Sequence, residues 1–374
     1  MAKRVMIISV KAGAGHMRAA QAVEAAFKER FPQVEVRNIE ALGFTNAAFQ
    51  KSFTGTYEKL SADLPSVWGM IYEKMEAKPA KSKMKKLATL FDRANALPLL
   101  AEVKAFGPDA IVCTHYLPAE VLAPRRRKGK LAAPVYVVLT DYDIHTMWIQ
   151  DGVDGYFVAT GEMAYALDAK GVGNARVVVT GIPVMPEFAR RYPGKPEMRR
   201  NLGLRTGAPT VLVSAGGFAA AGVEEAIGRV ADAAEGAQLL VVAGRTESLK
   251  KVIDRVASKH RGRVVPYGFI TNMNELMAAS DFAVTKSGGL TSSECLAMGL
   301  PMVIWNPIPG QEERNSDYLL ENGAALRANS LAHLVFKVRR LLGDSALLAR
   351  MQDAARRIAR PNAAFEIAQR VMER

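Results

Sequence analysis

Two α/β domains, each a doubly wound parallel sheet of the Rossmann-like kind, are what this sequence predicts, and three observations predict them. The chain has 374 residues, whereas single cores stop growing at roughly 250–300 residues. Two series of short apolar segments run along it, each segment leading into a polar or glycine-bearing loop and then a helical pattern. Between the series, residues 186–208 are rich in Pro, Arg and Gly and have the composition of a linker. The expected division is therefore 1–185, a linker over 186–208, a second domain over 209–358, and a terminal helix over 359–374 that can pack back on the first domain.

The first series opens with strand, glycine loop and helix. Arg4–Val10 is an apolar strand, Lys11–Gly15 a turn, and His16–Arg30 carries Ala, Val and Phe at helical spacing before Pro32. Further strands are expected at 34–39, 110–114, 135–140, 156–159 and 176–180. The second series has strands at 210–214, 238–243, 263–266, 282–285 and 302–305, with helical patterns between them. Parallel strands need such crossovers. Two open α/β sheets place ligands at the carboxyl ends of their strands, facing a common cleft.

Composition narrows the class. Hydrophobic residues are 49% and charged residues 23% of the chain, enough apolar material for two cores and against disorder. The two cysteines, Cys113 and Cys295, exclude a disulfide framework and have no partner at metal-ligand spacing. No export signal and no apolar run of about 18 residues is present, so a cytoplasmic protein without a membrane span is expected. The net charge of +13 favours anionic partners, namely phosphorylated substrates, anionic lipid or nucleic acid. No nucleic-acid motif accompanies the charge, and nucleic acid is not expected as a partner.

Three stretches carry chemistry. Gly13-Ala14-Gly15-His16 puts a histidine at the mouth of a strand–loop–helix turn. A dinucleotide fingerprint would need glycine where Arg18 stands, and a phosphate loop would need Gly-Lys-Ser/Thr. Leu139-Thr140-Asp141-Tyr142-Asp143-Ile144-His145 follows an apolar strand and ends near Trp148. Its two aspartates resemble a metal-binding pair, but two carboxylates hold Mg²⁺ weakly without substrate phosphates, and no metal is expected. The third stretch, Gly268–Tyr318, places polar sets at consecutive strand ends. Thr285-Lys286-Ser287-Gly288-Gly289-Leu290-Thr291 opens a helix whose N-terminus suits a pyrophosphate. Glu294, one turn on, suits a ribose diol. Pro307-Ile308-Pro309-Gly310-Gln311-Glu312 opens another helix with sugar-binding side chains.

These residues resemble the donor-binding signature of the GT-B glycosyltransferases of the monogalactosyldiacylglycerol synthase and processive diacylglycerol glucosyltransferase family, relatives of the N-acetylglucosaminyltransferase that makes lipid II. The resemblance covers nearly the whole chain, including Gly181-Ile182-Pro183-Val184. Ser287 stands where the family pattern has proline, and residues 42–106 resemble it least. The resemblance implies a GT-B fold, two Rossmann-like domains facing an interdomain cleft, and an inverting hexose transfer from a UDP-sugar to a lipid acceptor, diacylglycerol, with no cofactor and no metal. It implies His16 as general base, with Asp141 and His145 lining the acceptor side or assisting it. Gly15 belongs to the same loop. Backbone amides around Gly217, Gly288, Gly289, Leu290 and Thr291, with Arg245, would meet the leaving UDP. Phe269 and Ile270 would frame uracil, Glu294 would bind ribose, and Gln311 and Glu312 the sugar.

A basic, greasy segment completes the expectation. Trp68, Ile71 and Tyr72 precede Lys81, Lys83, Lys85 and Lys86. Such interleaving suits an anionic bilayer surface, each near-surface Lys contributing about 1 kcal/mol. Peripheral attachment to the cytoplasmic membrane face follows as an expectation. Arg125–Lys130 is a second basic cluster, which a solvated helix face explains as well. Rival readings are a UDP-sugar 2-epimerase on a similar double fold, lipid II synthesis itself, and a non-catalytic UDP-sugar sensor, which would have no need of His16. Donor identity, processivity and oligomeric state are open at this level.

Overall fold

A computed structural model describes residues 3–11, 13–47, 49–50, 67, 69–70, 96–173, 176–215 and 222–373. Contacts divide the chain into two compact units. One comprises Met1–Pro186, Pro309–Gln311 and Pro361–Arg374; the other comprises Glu187–Ile308 and Glu312–Arg360. The expected membrane-facing residues Trp68, Ile71, Tyr72, Lys81, Lys83, Lys85 and Lys86, and the donor-loop residue Gly217, lie outside the described residues.

The first unit runs β1 (Arg4–Ser9), α1 (Gly15–Arg30), β2 (Glu35–Glu40), a 3₁₀ turn (Ala41–Phe44), α2 (Leu97–Phe106), β3 (Ala110–Cys113), α3 (Tyr116–Arg127), β4 (Val135–Val138), β5 (Gly155–Val158), α4 (Gly161–Ala169) and β6 (Val177–Val179). Its six strands lie parallel in the order β2-β1-β3-β4-β5-β6. β1, β3, β4 and β5 are buried almost throughout, as their apolar, β-branched sequences require when helices cover both faces of a parallel sheet. The chain leaves β1 to the β2 side and returns on the other side to make β3. The reversal of strand order therefore falls between β1 and β3, where open α/β sheets bind ligands beyond the strands' carboxyl ends.

The second unit repeats the plan. It runs α5 (Lys195–Asn201), β7 (Thr210–Ser214), α6 (Val223–Ala233), β8 (Gln238–Val242), α7 (Glu247–Lys259), β9 (Val264–Tyr267), α8 (Met273–Ala279), β10 (Phe282–Thr285), α9 (Gly289–Ala297), β11 (Met302–Trp305), α10 (Gln311–Glu321), β12 (Ala325–Ala328), α11 (Leu331–Gly343) and α12 (Ser345–Ile358). The order is β12-β11-β10-β7-β8-β9, all parallel, so the reversal falls between β7 and β10. The twelfth strand has no counterpart among the expected ones. Ala-Leu-Arg-Ala carries weak strand propensity, and it is pairing with β11 that holds it at the sheet edge.

α13 (Ala363–Met372) belongs to the first unit. Its Ala364, Ile367, Ala368 and Val371 share one core cluster with Ala22, Val23, Ala26 and Phe27 of α1. Lys3 Nζ donates to the carbonyls of Val371 and Met372 at 3.2 and 3.3 Å, a cation at a helix C-terminus.

The stretch with linker composition is packed onto the second unit. Arg199, 6% exposed, donates to the Ala279 carbonyl at 3.0 Å and to Asp281 Oδ2 at 2.8 Å. Lys195 Nζ reaches Asp281 Oδ1 at 2.8 Å, and Thr210 N donates to Asp281 Oδ2 at 2.8 Å. One carboxylate thus gathers two cations and the first amide of β7, which is how a charged, Pro-bearing stretch becomes ordered structure.

Candidate active site

In the first unit the site begins with the turn after β1. Gly13 has φ +75°, a conformation that favours glycine, and it lets the chain enter α1 within a few residues of the strand end. His16 is the second residue of that helix. Its Nδ1 lies 2.9 Å from the Thr114 carbonyl and 3.1 Å from Thr140 Oγ1, while Thr114 Oγ1 donates to the His16 carbonyl at 3.0 Å. Thr114 follows β3, so this reciprocal clasp closes over the point where strand order reverses. A backbone carbonyl only accepts, so Nδ1 carries the hydrogen, and the neutral ring presents the lone pair of Nε2.

Rings enclose this imidazole. His115 meets it edge-on at 4.6 Å between centroids, and Trp148 lies at 5.9 Å. Burial lowers the His16 pKa from 6.5 to about 4, against the smaller opposing effect of the Thr114 carbonyl. Partial solvent access of the side chain works against that drop. His115 is held well below its ordinary value by burial and by its neighbour His16. His115 Nδ1 accepts from Leu117 N at 3.1 Å and caps α3, which puts its hydrogen on Nε2. The sequence reasoning passed over His115. Its signal was available: Thr114-His115 is a polar pair directly after four apolar strand residues, the same pattern that drew attention to 140–145.

Asp141 is half-buried and adjoins Thr140, whose hydroxyl touches His16. His145 is buried at 2% exposure, and its Nδ1 accepts from Met147 N at 3.2 Å, capping the 3₁₀ turn Thr146–Trp148. Trp148 from the same turn reaches His16.

In the second unit, α9 begins at Gly289 with Gly288 as its N-cap. Neither a side-chain cap nor an acidic residue occupies its first turn, so the amides of Gly289, Leu290 and Thr291 form an uncapped N-terminus at the β7/β10 reversal, suited to an anion. Glu294 lies one turn further on, 8% exposed. Ser287 is fully buried. Its hydroxyl donates to the Glu312 carbonyl at 2.6 Å, and its own carbonyl accepts from Asn315 Nδ2 at 3.0 Å. The serine thus ties the turn after β10 to the first turns of α10, a tether that proline at this position would lack. Glu312 Oε2 accepts from Ile308 N at 2.6 Å, bracing the loop before α10, whose first residue is Gln311. A Cβ added at Gly288 would lie 3.6 Å from Glu312 Oε1, so the carboxylate borders the glycine turn. Beyond β8 and β9, the Arg245 guanidinium stacks 4.1 Å from the centre of the Phe269 ring, which is 57% exposed, with Ile270 half-buried beside it. The structure thereby joins two residues that the sequence suggested separately.

Two members of the basic cluster that ends α3 are paired with carboxylates. Arg126 makes a forked contact with Asp154 at 3.0–3.2 Å and donates to the Ala132 carbonyl at 2.9 Å. Arg127, itself exposed, pairs with Asp151, and Lys128 and Lys130 are exposed beside it. Among the described residues, no group of three or more His, Cys, Asp or Glu side chains is arranged to hold a metal ion, and no helix is long and apolar enough to cross a membrane.

Residues 16–184 match the monogalactosyldiacylglycerol (MGDG) synthase family model, and residues 194–358 match that of glycosyl transferases group 1. The chain is a GT-B protein that joins these two glycosyltransferase domains. It is 27% identical over 371 residues to the processive diacylglycerol beta-glucosyltransferase of Bacillus thuringiensis (strain Al Hakam), covering 99% of this chain and 93% of that one. The Bacillus pumilus (strain SAFR-032) protein of the same description is 27% identical over 356 residues, covering 94% and 89%. Among solved structures, Acinetobacter baumannii MurG superposes with a TM-score of 0.64 at 15% identity, covering both chains fully. A UDP-GlcNAc 2-epimerase from Neisseria meningitidis bound to UDP-GlcNAc superposes with a TM-score of 0.61 at 13% identity, covering 99% of this GT-B chain and 100% of that one. Both likenesses concern the fold, which transferases and epimerases share.

Proposed function

We propose that this GT-B protein is an inverting hexosyltransferase that moves a sugar from a UDP-sugar to the free hydroxyl of diacylglycerol. The observation that carries the reading is His16: Nδ1–H is committed to the Thr114 carbonyl, so Nε2 offers its lone pair at the ligand-binding end of the first sheet. Nε2 takes the proton of the acceptor hydroxyl while the acceptor oxygen bonds the anomeric carbon and the bond to UDP breaks on the opposite face. The carbonyl of Thr114, already hydrogen-bonded to Nδ1–H, stabilises the imidazolium that forms. The amides of Gly289, Leu290 and Thr291 meet the diphosphate charge, so the residues present suit a leaving group neutralised without a cation. Arg245 and Phe269 offer a flat cationic and aromatic surface to the base. Glu294 takes the ribose, Gln311 the sugar, and Glu312 supports the sugar subsite through its loop. The full-length relatives, named as diacylglycerol glucosyltransferases, favour this acceptor and a glucosyl donor. Peripheral attachment to an anionic membrane surface through residues 68–86 belongs to the same proposal.

The test is incubation of the purified protein with UDP-glucose or UDP-galactose, with and without dispersed diacylglycerol, reading UDP release and lipid-linked sugar. Acceptor-dependent release with a glycolipid product is expected. Conversion of the UDP-sugar without acceptor would instead make the chain an epimerase, the reading its fold alone also allows. Tight UDP binding without turnover would make it a sensor.

A further inference from the structure

The turn after β10 and the start of α10 are tied by two buried hydrogen bonds whose donors the mechanism above does not use. Ser287 Oγ donates to the Glu312 carbonyl at 2.6 Å. Asn315 Nδ2 donates to the Ser287 carbonyl at 3.0 Å. Both side chains lie wholly out of solvent. Glu312 and Asn315 stand three residues apart on one face of α10, about 4.5 Å along its axis. Two bonds of opposite direction, spaced along one helix face, fix how far α10 stands from the turn and how it is rotated about its axis. A buried neutral hydrogen bond adds little net stability. What a satisfied polar pair adds in a core is a single geometry.

Both ends of the tie carry groups assigned to the donor. Two residues after Ser287, α9 begins with the uncapped amides that suit a diphosphate. At the other end, Glu312 Oε2 is held by Ile308 N at 2.6 Å, and Gln311 precedes it as the first residue of α10. The carboxylate borders the turn, since a Cβ added at Gly288 would stand 3.6 Å from Glu312 Oε1. That is ordinary van der Waals contact. Gly288 has φ −63° and ψ 136°, a backbone that any residue adopts. Neither conformation nor packing demands glycine there. Its lack of a side chain keeps the approach to the first amides of α9 open beside the carboxylate, as a site for a ligand requires.

We propose that Ser287 and Asn315 are positioning residues for the donor, holding the sugar-binding start of α10 in register with the diphosphate-binding turn. The proposal rests on the UDP-sugar reading of this unit. A small shift of α10 away from the turn lengthens hydrogen bonds to the hexose and leaves those to the diphosphate and the base in place. The tie therefore governs the sugar's share of donor affinity and not the share of UDP.

Calorimetry on the full chain with UDP and with UDP-glucose, without acceptor, reads the two shares separately and needs no turnover. Ser287→Ala removes the hydroxyl, and Ser287→Cys fills its volume with a weaker donor. Both should leave the UDP Kd within about twofold and raise the UDP-glucose Kd about fivefold to tenfold. Ser287→Thr, which keeps the hydroxyl, should retain most of the UDP-glucose affinity. In a Gln311→Ala protein, Ser287→Ala should add less than about twofold, because the contact that it positions is already gone. Equal losses for UDP and UDP-glucose, or a full additional loss beside Gln311→Ala, would make the tie a structural contact only and overturn the proposal. Unchanged UDP-glucose binding in a folded Ser287→Ala protein would overturn it as well. A wild-type protein that binds no UDP, or a Gln311→Ala protein that binds UDP-glucose normally, would instead sink the donor reading beneath it.

Discussion

Replacing His16 with Asn tests the geometry of the clasp and the chemistry assigned to it together. The Asn amide nitrogen stands near where Nδ1 was and can still donate to the Thr114 carbonyl, while the titrating ring and Nε2 are gone. In the folded protein, burial lowers the His16 pKa from 6.5 to about 4. The fold therefore prefers the neutral ring, and the unfolded chain binds the extra proton between those values. Stability from this group is complete above pH 6.5 and is lost as pH falls towards 4. The fall from 6.5 to about 4 corresponds to about 3 kcal/mol, with a slope approaching 1.4 kcal/mol for each pH step of one. Urea unfolding of both proteins at steps from pH 7.5 to 4 should show the wild type losing up to that amount relative to His16→Asn. The chain has five histidines, so the imidazole resonances can be assigned by single replacements and the titration followed directly. Sugar transfer at neutral pH should fall by about 10²–10⁴ in the variant with UDP binding retained, the range for loss of a general base. A His16 resonance titrating near pH 6.5, with parallel stability curves, would refute the burial argument. Undiminished transfer would refute the base.

Further outcomes follow from other contacts. His115→Phe removes the Nδ1 cap of α3 and should cost about 1 kcal/mol, measured by thermal unfolding; a gain in stability would contradict the cap. Asp281→Asn leaves Arg199 buried without its carboxylate, so a loss of about 3–5 kcal/mol is expected in chemical denaturation. Arg245→Ala should weaken UDP binding severalfold in calorimetry with little effect on unfolding, because the stacked pair is exposed. EDTA should leave the transfer rate unchanged if helix amides alone meet the diphosphate.

Both sheets are legible in the sequence because parallel strands buried on two faces must be short apolar runs; the partly exposed edge strand β2 carries only Val36 and Ile39 as apolar residues. β12 is the exception: Ala325–Ala328 becomes a strand only through its neighbour, and no local pattern announces it. The glycine turns were legible because tight strand-to-helix turns restrict residue type. What stayed hidden was pairing over long separations. His16 with Thr114, Ser287 with Glu312 and Arg245 with Phe269 meet only once strand order is known. Residues 186–208 looked like a linker because they are rich in Pro, Arg and Gly. Asp281, more than 70 residues away, turns that charge into packing.

The position of α13 bears on the order in which the protein is made. The helix that covers α1 lies at the far end of the chain, beyond the whole second unit. On the ribosome, the apolar face of α1 must wait while some 330 residues emerge between the two helices, at about 5–20 residues per second. During that interval the nascent first unit exposes Ala22, Val23, Ala26 and Phe27, and the second unit has time to fold alone. A chain ending before Ala363 would carry that exposure permanently, making it a substrate for chaperones and proteases even with every candidate site residue in place.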